Sequence, residues 1–159
     1  MATVLEKLMS TPLPTKTKQK RCLYRPNLEE VYRLYDLINK EIFKNKLSRP
    51  EICIGPRRMC WGMCVGFHRT RSSGSRCVIK LSDKWYCIQW FVTILAHEMS
   101  HQYQWDILSP KRVKAGKDDI MSHGPSFFVH RSKIKKHSIP LKTAHSKNKW
   151  FKYQHMQHC

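Results

Sequence analysis

The chain has 159 residues, enough for one domain with short extensions and too few for a second catalytic one. Its 30 Lys and Arg against 11 Asp and Glu give a formal charge of +19, and no acidic residue follows Asp119. Such an excess is more than solubility requires and points to a polyanionic partner, with nucleic acid the natural one. No apolar run approaches the roughly 18 to 20 residues of a membrane span. The seven cysteines are an odd number and residues 1–14 lack a signal-peptide core, so the expectation is a reduced intracellular protein of the cytoplasm, nucleoid or nucleus, not a secreted one.

Residues 1–26, with Pro12, Pro14, Pro26, Lys16, Lys18, Lys20 and Arg21, carry no sustained apolar period and read as a basic arm, order beginning at Asn27. Asn27 is placed to cap a helix with Glu30 at its third position. Leu28, Val31, Leu34, Tyr35, Ile38 and Ile42 then recur at helical spacing, which predicts a helix from about Leu28 to Lys44. Strand-like runs follow at Glu51 to Gly55, Cys60 to Arg69 and Arg76 to Leu81. The polar Arg71-Ser72-Ser73-Gly74 link suggests a hairpin between the last two, and a small antiparallel sheet is expected. Ser82 or Asp83 is placed to cap a second helix carrying Trp85, Ile88, Phe91, Val92 and Leu95. Ser109 to Ser122 reads as a surface loop, and Phe127, Phe128, Val129 and Ile134 as a short closing helix. No internal repeat is evident.

That second helix runs into His97-Glu98-Met99-Ser100-His101. Residues four apart share a helix face, so both imidazoles reach one metal while Glu98 lies beside the metal-bound water. The pattern is that of a zinc-dependent hydrolase with Glu98 as the catalytic base. A catalytic zinc usually takes three protein ligands, so a third lies elsewhere: His123, His130 and His137 are candidates, with Asp118 and Asp119 as carboxylate alternatives. His123 stands first, because Gly124 permits close backbone approach and Phe127 anchors the turn. Tyr103, Tyr86 and His130 are candidate oxyanion donors by residue type, but each reads as structural and none is assigned a catalytic role.

Three ordered features, the helix with Leu34-Tyr35-Asp36-Leu37-Ile38-Asn39 and Phe43, the Ala96 to His101 motif, and His123-Gly124-Pro125-Ser126-Phe127, make the chain resemble the SprT-like (Spartan) zinc metalloproteases from about Asn27 to Leu141. The resemblance implies an α+β, minimal zincin-like domain spanning 27–141, helices packed on the sheet, between a basic arm at 1–26 and a basic aromatic tail at 142–159. It also implies one zinc ion held by His97, His101 and His123, and Glu98 as general base. In cellular members this chemistry degrades proteins crosslinked to DNA. Where the family usually has Glu after His-Gly-Pro this chain has Ser126, which bears on a contact that orients a ligand. A C-terminal zinc ribbon is not expected, since only Cys159 lies beyond Cys87.

Cys60 and Cys64 read as small apolar core residues rather than a second metal site. Arg131, Lys133, Lys135 and Lys136, with Lys147, Lys149, Trp150 and Lys152, are the expected nucleic-acid contacts; Trp150, Phe151 and Tyr153 either stack on bases or fold back onto the domain. Arg57, Arg58, Arg69, Arg71 and Arg76 around the hairpin form a further candidate phosphate surface. Nothing in these residues reads sequence, so the expected partner is DNA bound non-specifically, single-stranded DNA included, together with proteins bound to it. The chain is expected to act as a monomer. The rival expectation is a zinc-containing nucleic-acid-binding protein on a zincin scaffold without turnover; a third is a zinc hydrolase of a non-protein substrate.

Overall fold

The computed structural model describes residues 1–13, 24–57, 60–109 and 122–142. The predicted tail contacts Lys147, Lys149, Trp150 and Lys152, and the alternative ligands Asp118 and Asp119, lie outside these.

Helix α1, Val4–Ser10, occupies the stretch read from sequence as an arm. Thr3 and Glu6 form a capping box at its start, and Leu5 and Met9, four apart, are buried in the core. The Leu5 amide donates to Glu41 Oε2 at 3.2 Å, and the Gln89 side chain donates to the Thr11 hydroxyl at 2.7 Å, so this segment is bolted to two other helices. Order therefore begins well before Asn27.

Helix α2, Leu28–Glu41, starts where expected, with the Asn27 carboxamide accepting from the Glu30 amide at 2.8 Å. Of its predicted apolar stripe, Val31, Leu34, Tyr35, Ile38 and the capping Ile42 are fully buried, whereas Leu28 in the first turn is exposed. It stops short of Lys44 because Asn39 clasps the backbone of Leu47 from both sides, donating to its carbonyl and accepting from its amide.

Strands β1 (Glu51–Gly55), β2 (Gly62–Gly66) and β3 (Cys77–Ser82) form one sheet in the order β1-β3-β2. The pairing corrects the antiparallel expectation: β2 and β3 are an antiparallel pair with Cys64 opposite Ile79, but β1 runs parallel to β3 with Ile52 opposite Ile79. The sheet is mixed because the chain crosses from β1 to the far edge before turning back into the centre. The hairpin connection closes at Gly74, whose φ of 91° and amide bond to Arg71 O suit a residue without a Cβ.

Helix α3, Ile88–Tyr103, starts after Cys87 with no side-chain cap, later than the Ser82 or Asp83 start suggested by sequence. It is buried from Gln89 to Tyr103, as an element enclosed by sheet and helices must be. A π-helical turn, Gln104–Leu108, continues it. Asp106 in that turn accepts from Ser75 Oγ (2.5 Å), the Arg76 amide (2.9 Å) and Gln102 Nε2 (3.1 Å), tying the end of the helix to β3. Helix α4, Arg131–Lys136, closes the domain, with Phe127 and Ile134 buried and the preceding residues forming turns. The architecture is α+β. No helix among the described residues is long and apolar enough to cross a membrane.

Candidate metal centre

The spacing of His97 and His101 on α3 sets both rings on one face, and the turn at Ser122 to Phe127 brings His123 over them. His123 Nε2 lies 3.3 Å from His97 Nε2 and 3.2 Å from His101 Nε2. Two nitrogens each about 2.0 to 2.1 Å from a tetrahedral zinc are about 3.3 to 3.4 Å apart, so His123 stands from each of the other two rings at the spacing such an ion needs. Burial holds His101 down at about 4 and also lowers His123, leaving neutral imidazoles with lone pairs to donate. Phe127 packs against all three rings at centroid distances of 4.6 to 4.9 Å and fixes the floor beneath them.

Glu98 sits beside this cluster, 5% exposed, in a cleft of about 230 Å³ lined on its other wall by Gly62, Met63 and Cys64. Burial pushes its carboxyl up to about 8, while a hydrogen bond from the Cys64 backbone and the charge of Arg57 pull the other way. Strand β2 reaches Glu98 because residue 62 has no side chain: a Cβ there would meet Ile94 Cγ2 and Leu81 Cδ2 at 3.1 Å and Glu98 Cγ at 3.3 Å.

Two residues that sequence reading did not connect orient the site. Gln104 Oε1 lies 2.7 Å from His101 Nδ1, and Gln104 Nε2 donates to Ser126 Oγ at 2.8 Å and to Ser122 O at 2.9 Å. One carboxamide thus holds the His101 proton on Nδ1, freeing Nε2, and ties the helix to the turn that carries His123. Ser126 is part of this contact. The spacing of three from His101 was the available signal for Gln104, but its link to Ser126 spans 22 residues.

The other ligand candidates lie elsewhere. His130 is wedged between Phe43 (4.6 Å) and Tyr103 (4.4 Å), and His137 faces Glu41 at 3.8 Å. Tyr86 packs on Trp61. Cys64, Cys77 and Cys87 are buried free thiols, Cys60 is half-buried rather than fully in the core, and Cys53 is exposed. Among the described residues the cluster of metal-ligating side chains is that of His97, His101 and His123. Arg131, Lys133, Lys135 and Lys136 share helix α4 outside the cleft. Around the hairpin, Arg71 pairs with Glu51 and Arg76 lies against Asp106, so those two guanidinium groups serve the fold.

Two imidazoles and a buried carboxylate on one helix, with a third imidazole brought over them by a turn, make a site of the kind used by metal-dependent hydrolases. The chain belongs to the SprT-like family, whose model matches residues 31–146. Membership suggests a zincin-like metallopeptidase domain and a metal at the three-histidine cluster. No curated protein matches the chain.

Proposed function

We propose that the chain is a zinc-dependent peptidase that cleaves proteins bound or crosslinked to DNA, with His97, His101 and His123 holding one zinc ion and Glu98 acting as general base. The observation that carries this reading is the Glu98 carboxylate buried in the same cleft as three imidazoles at metal-ligand spacing. A zinc ion held there would supply Lewis acidity to a water molecule and to the scissile carbonyl. Glu98 takes a proton from the attacking water as its oxygen bonds to the carbonyl carbon, and delivers it to the amide nitrogen as the C–N bond breaks. Gln104 keeps the His101 proton on Nδ1 throughout. The formal charge of +19 supports a DNA-bound setting, in the cytoplasm, nucleoid or nucleus, with the chain acting as a monomer.

The test is a cleavage gel of zinc-loaded protein against a basic protein bait, with and without single-stranded DNA, beside Glu98→Gln. Cleavage that DNA stimulates and the variant lacks is the expected result. Full activity in Glu98→Gln would overturn the catalytic assignment, and zinc occupancy with no cleavage by either protein would favour a binding scaffold.

A further inference from the structure

Between α2 and β1 the backbone takes two consecutive left-handed residues without glycine, Lys44 at φ 55° and Asn45 at φ 58°. Such conformations carry strain for residues with a Cβ and persist where the surroundings impose them. Here the Asn39 clasp on Leu47 and the bond from the Asn45 amide to Asn39 O at 2.9 Å impose them. The turn is also pinned from beyond: Phe43, the residue before it, packs on His130, which opens α4 and rests in turn on Tyr103 of α3.

This packing sets the turn beside α4. Lys44 and Lys46 follow directly on Phe43, which is anchored on His130, and Lys133 and Lys136 lie within the helix that His130 opens, so the four ammonium groups act on one another's charge. Among the described residues none of these four has a carboxylate at ion-pair distance. Of the acids of α2, Glu30 pairs with Arg33, Asp36 with Arg49, and Glu41 with the Leu5 amide and His137, while Glu29 lies in the first turn at the far end of the helix. Desolvation and then the charges of Lys44, Lys46 and Lys136 hold the Lys133 ammonium below the ordinary lysine range. A strained turn that presses like charges together destabilises the free protein, and an anion in the gap reverses the sign of that interaction.

We propose that Lys44, Lys46, Lys133 and Lys136 form a preorganised binding face for the phosphate backbone of nucleic acid, which rests on the DNA-associated reading above and locates it. The sequence alone offered only the α4 half of this face, because Lys44 and Lys133 are 89 positions apart. Lysines contribute point charges without base readout, so binding there is independent of sequence. Through His130 and Tyr103 the face is packed against the helix that carries His97, Glu98 and His101, so bound nucleic acid has a fixed position relative to the cleft.

The experiment measures fluorescence anisotropy of the full chain with a labelled 30-nucleotide single strand and the corresponding duplex across a range of NaCl concentrations. It compares wild type, the variant Lys44→Gln/Lys46→Gln/Lys133→Gln/Lys136→Gln, and a charge-matched variant of exposed cations elsewhere, Lys7→Gln/Arg25→Gln/Lys80→Gln/Lys84→Gln. Each neutralised phosphate contributes about 0.9 to the log–log salt slope on duplex, so the first variant should lose about 3 to 4 from that slope and the second clearly less. The first variant should also melt above wild type at low salt without nucleic acid, since removing the repulsion stabilises the fold. Lys44→Gln/Lys133→Gln, a smaller change, should show both signs in miniature. Equal slopes and affinities for the two quadruple variants would overturn the face while leaving DNA association standing. A wild-type chain that binds neither oligonucleotide, but binds phosphatidylserine vesicles or polyglutamate, would overturn the face and the DNA-bound setting, whereas the cleavage gel on a DNA-free bait tests the peptidase separately.

Discussion

Gln104 shows how one side chain can govern a site it never enters. Its acceptor oxygen orients His101 and its donor nitrogen holds the Ser126 turn, so Gln104→Leu removes both at once. We expect a loss of about 10- to 100-fold in zinc affinity, read by competition with a chromophoric chelator, with Gln104→Glu retaining part of it because the acceptor survives. An unchanged affinity in Gln104→Leu would show that packing on Phe127 alone sets the His101 ring. A second residue-scale prediction concerns His130. Burial first, then the charges of Lys133 and Lys46, lower its pKa from 6.5 to about 4, and Phe43 and Tyr103 enclose the ring. The unfolded chain therefore takes up the proton first as pH falls. The corresponding stability is fully present above about 6.5 and is lost progressively as pH falls toward about 4. Melting temperatures of wild type and His130→Phe across pH 7.5 to 4.5 should converge or cross, with the variant showing the shallower decline.

At the scale of elements, the π-helical turn Gln104–Leu108 and the edge strand β2 do the positioning. The turn widens the helix where Gln104 must reach across to residue 126 and Asp106 back to β3. Asp106→Ala would leave Ser75 Oγ and the Arg76 amide short of an acceptor, while Gln102 Nε2 keeps the Ser48 carbonyl at 2.8 Å. With each unsatisfied buried group costing about 1 to 3 kcal/mol, urea unfolding should report a loss of about 3 kcal/mol. Strand β2 is held at its other end by Trp105, whose ring lies where a Cβ on residue 66 would come to 2.7 Å, and whose indole nitrogen donates to Phe67 O at 2.7 Å. Gly66→Ala forces the ring aside and should cost about 1 to 3 kcal/mol by overpacking. If thermal melts of Gly66→Ala match wild type, the indole is free to move and does not brace the strand.

At the scale of the whole molecule, segments distant in the chain converge on one cleft: β2, the middle of α3 and the turn at residue 123. A metal bound by His97, His101 and His123 would cross-link α3 to that turn. Chelation of zinc-loaded protein should therefore lower the melting temperature, by an amount equivalent to about 4 kcal/mol at a free zinc concentration 1,000-fold above Kd. His123→Ala should shrink that difference sharply. At the same scale, α1 belongs to the domain because its Leu5 and Met9 are buried in the core cluster they share with α2 and α3.

What could be read from the sequence was local. Helical periodicity at 3.6 residues placed Val31, Leu34, Tyr35 and Ile38 on one buried stripe and His97 and His101 on one face, because both patterns arise within a few turns of backbone. The turn chemistry of Gly124 likewise singled out His123, and the charge imbalance was countable. Only the tertiary structure decided the rest. Strand order and the parallel pairing of β1 with β3 depend on a crossover that alternation along a strand does not encode, since period 2 is the same for either direction. Helix α1 was illegible because two buried residues four apart make no sustained period, and its order comes from docking onto Glu41 and Gln89. The Gln104–Ser126 link and the Cys64 amide on Glu98 join residues 22 and 34 positions apart, and the approach of the Lys44 turn to α4 joins positions 89 apart; composition and spacing treat such pairs as independent, whereas long-range packing brings them together.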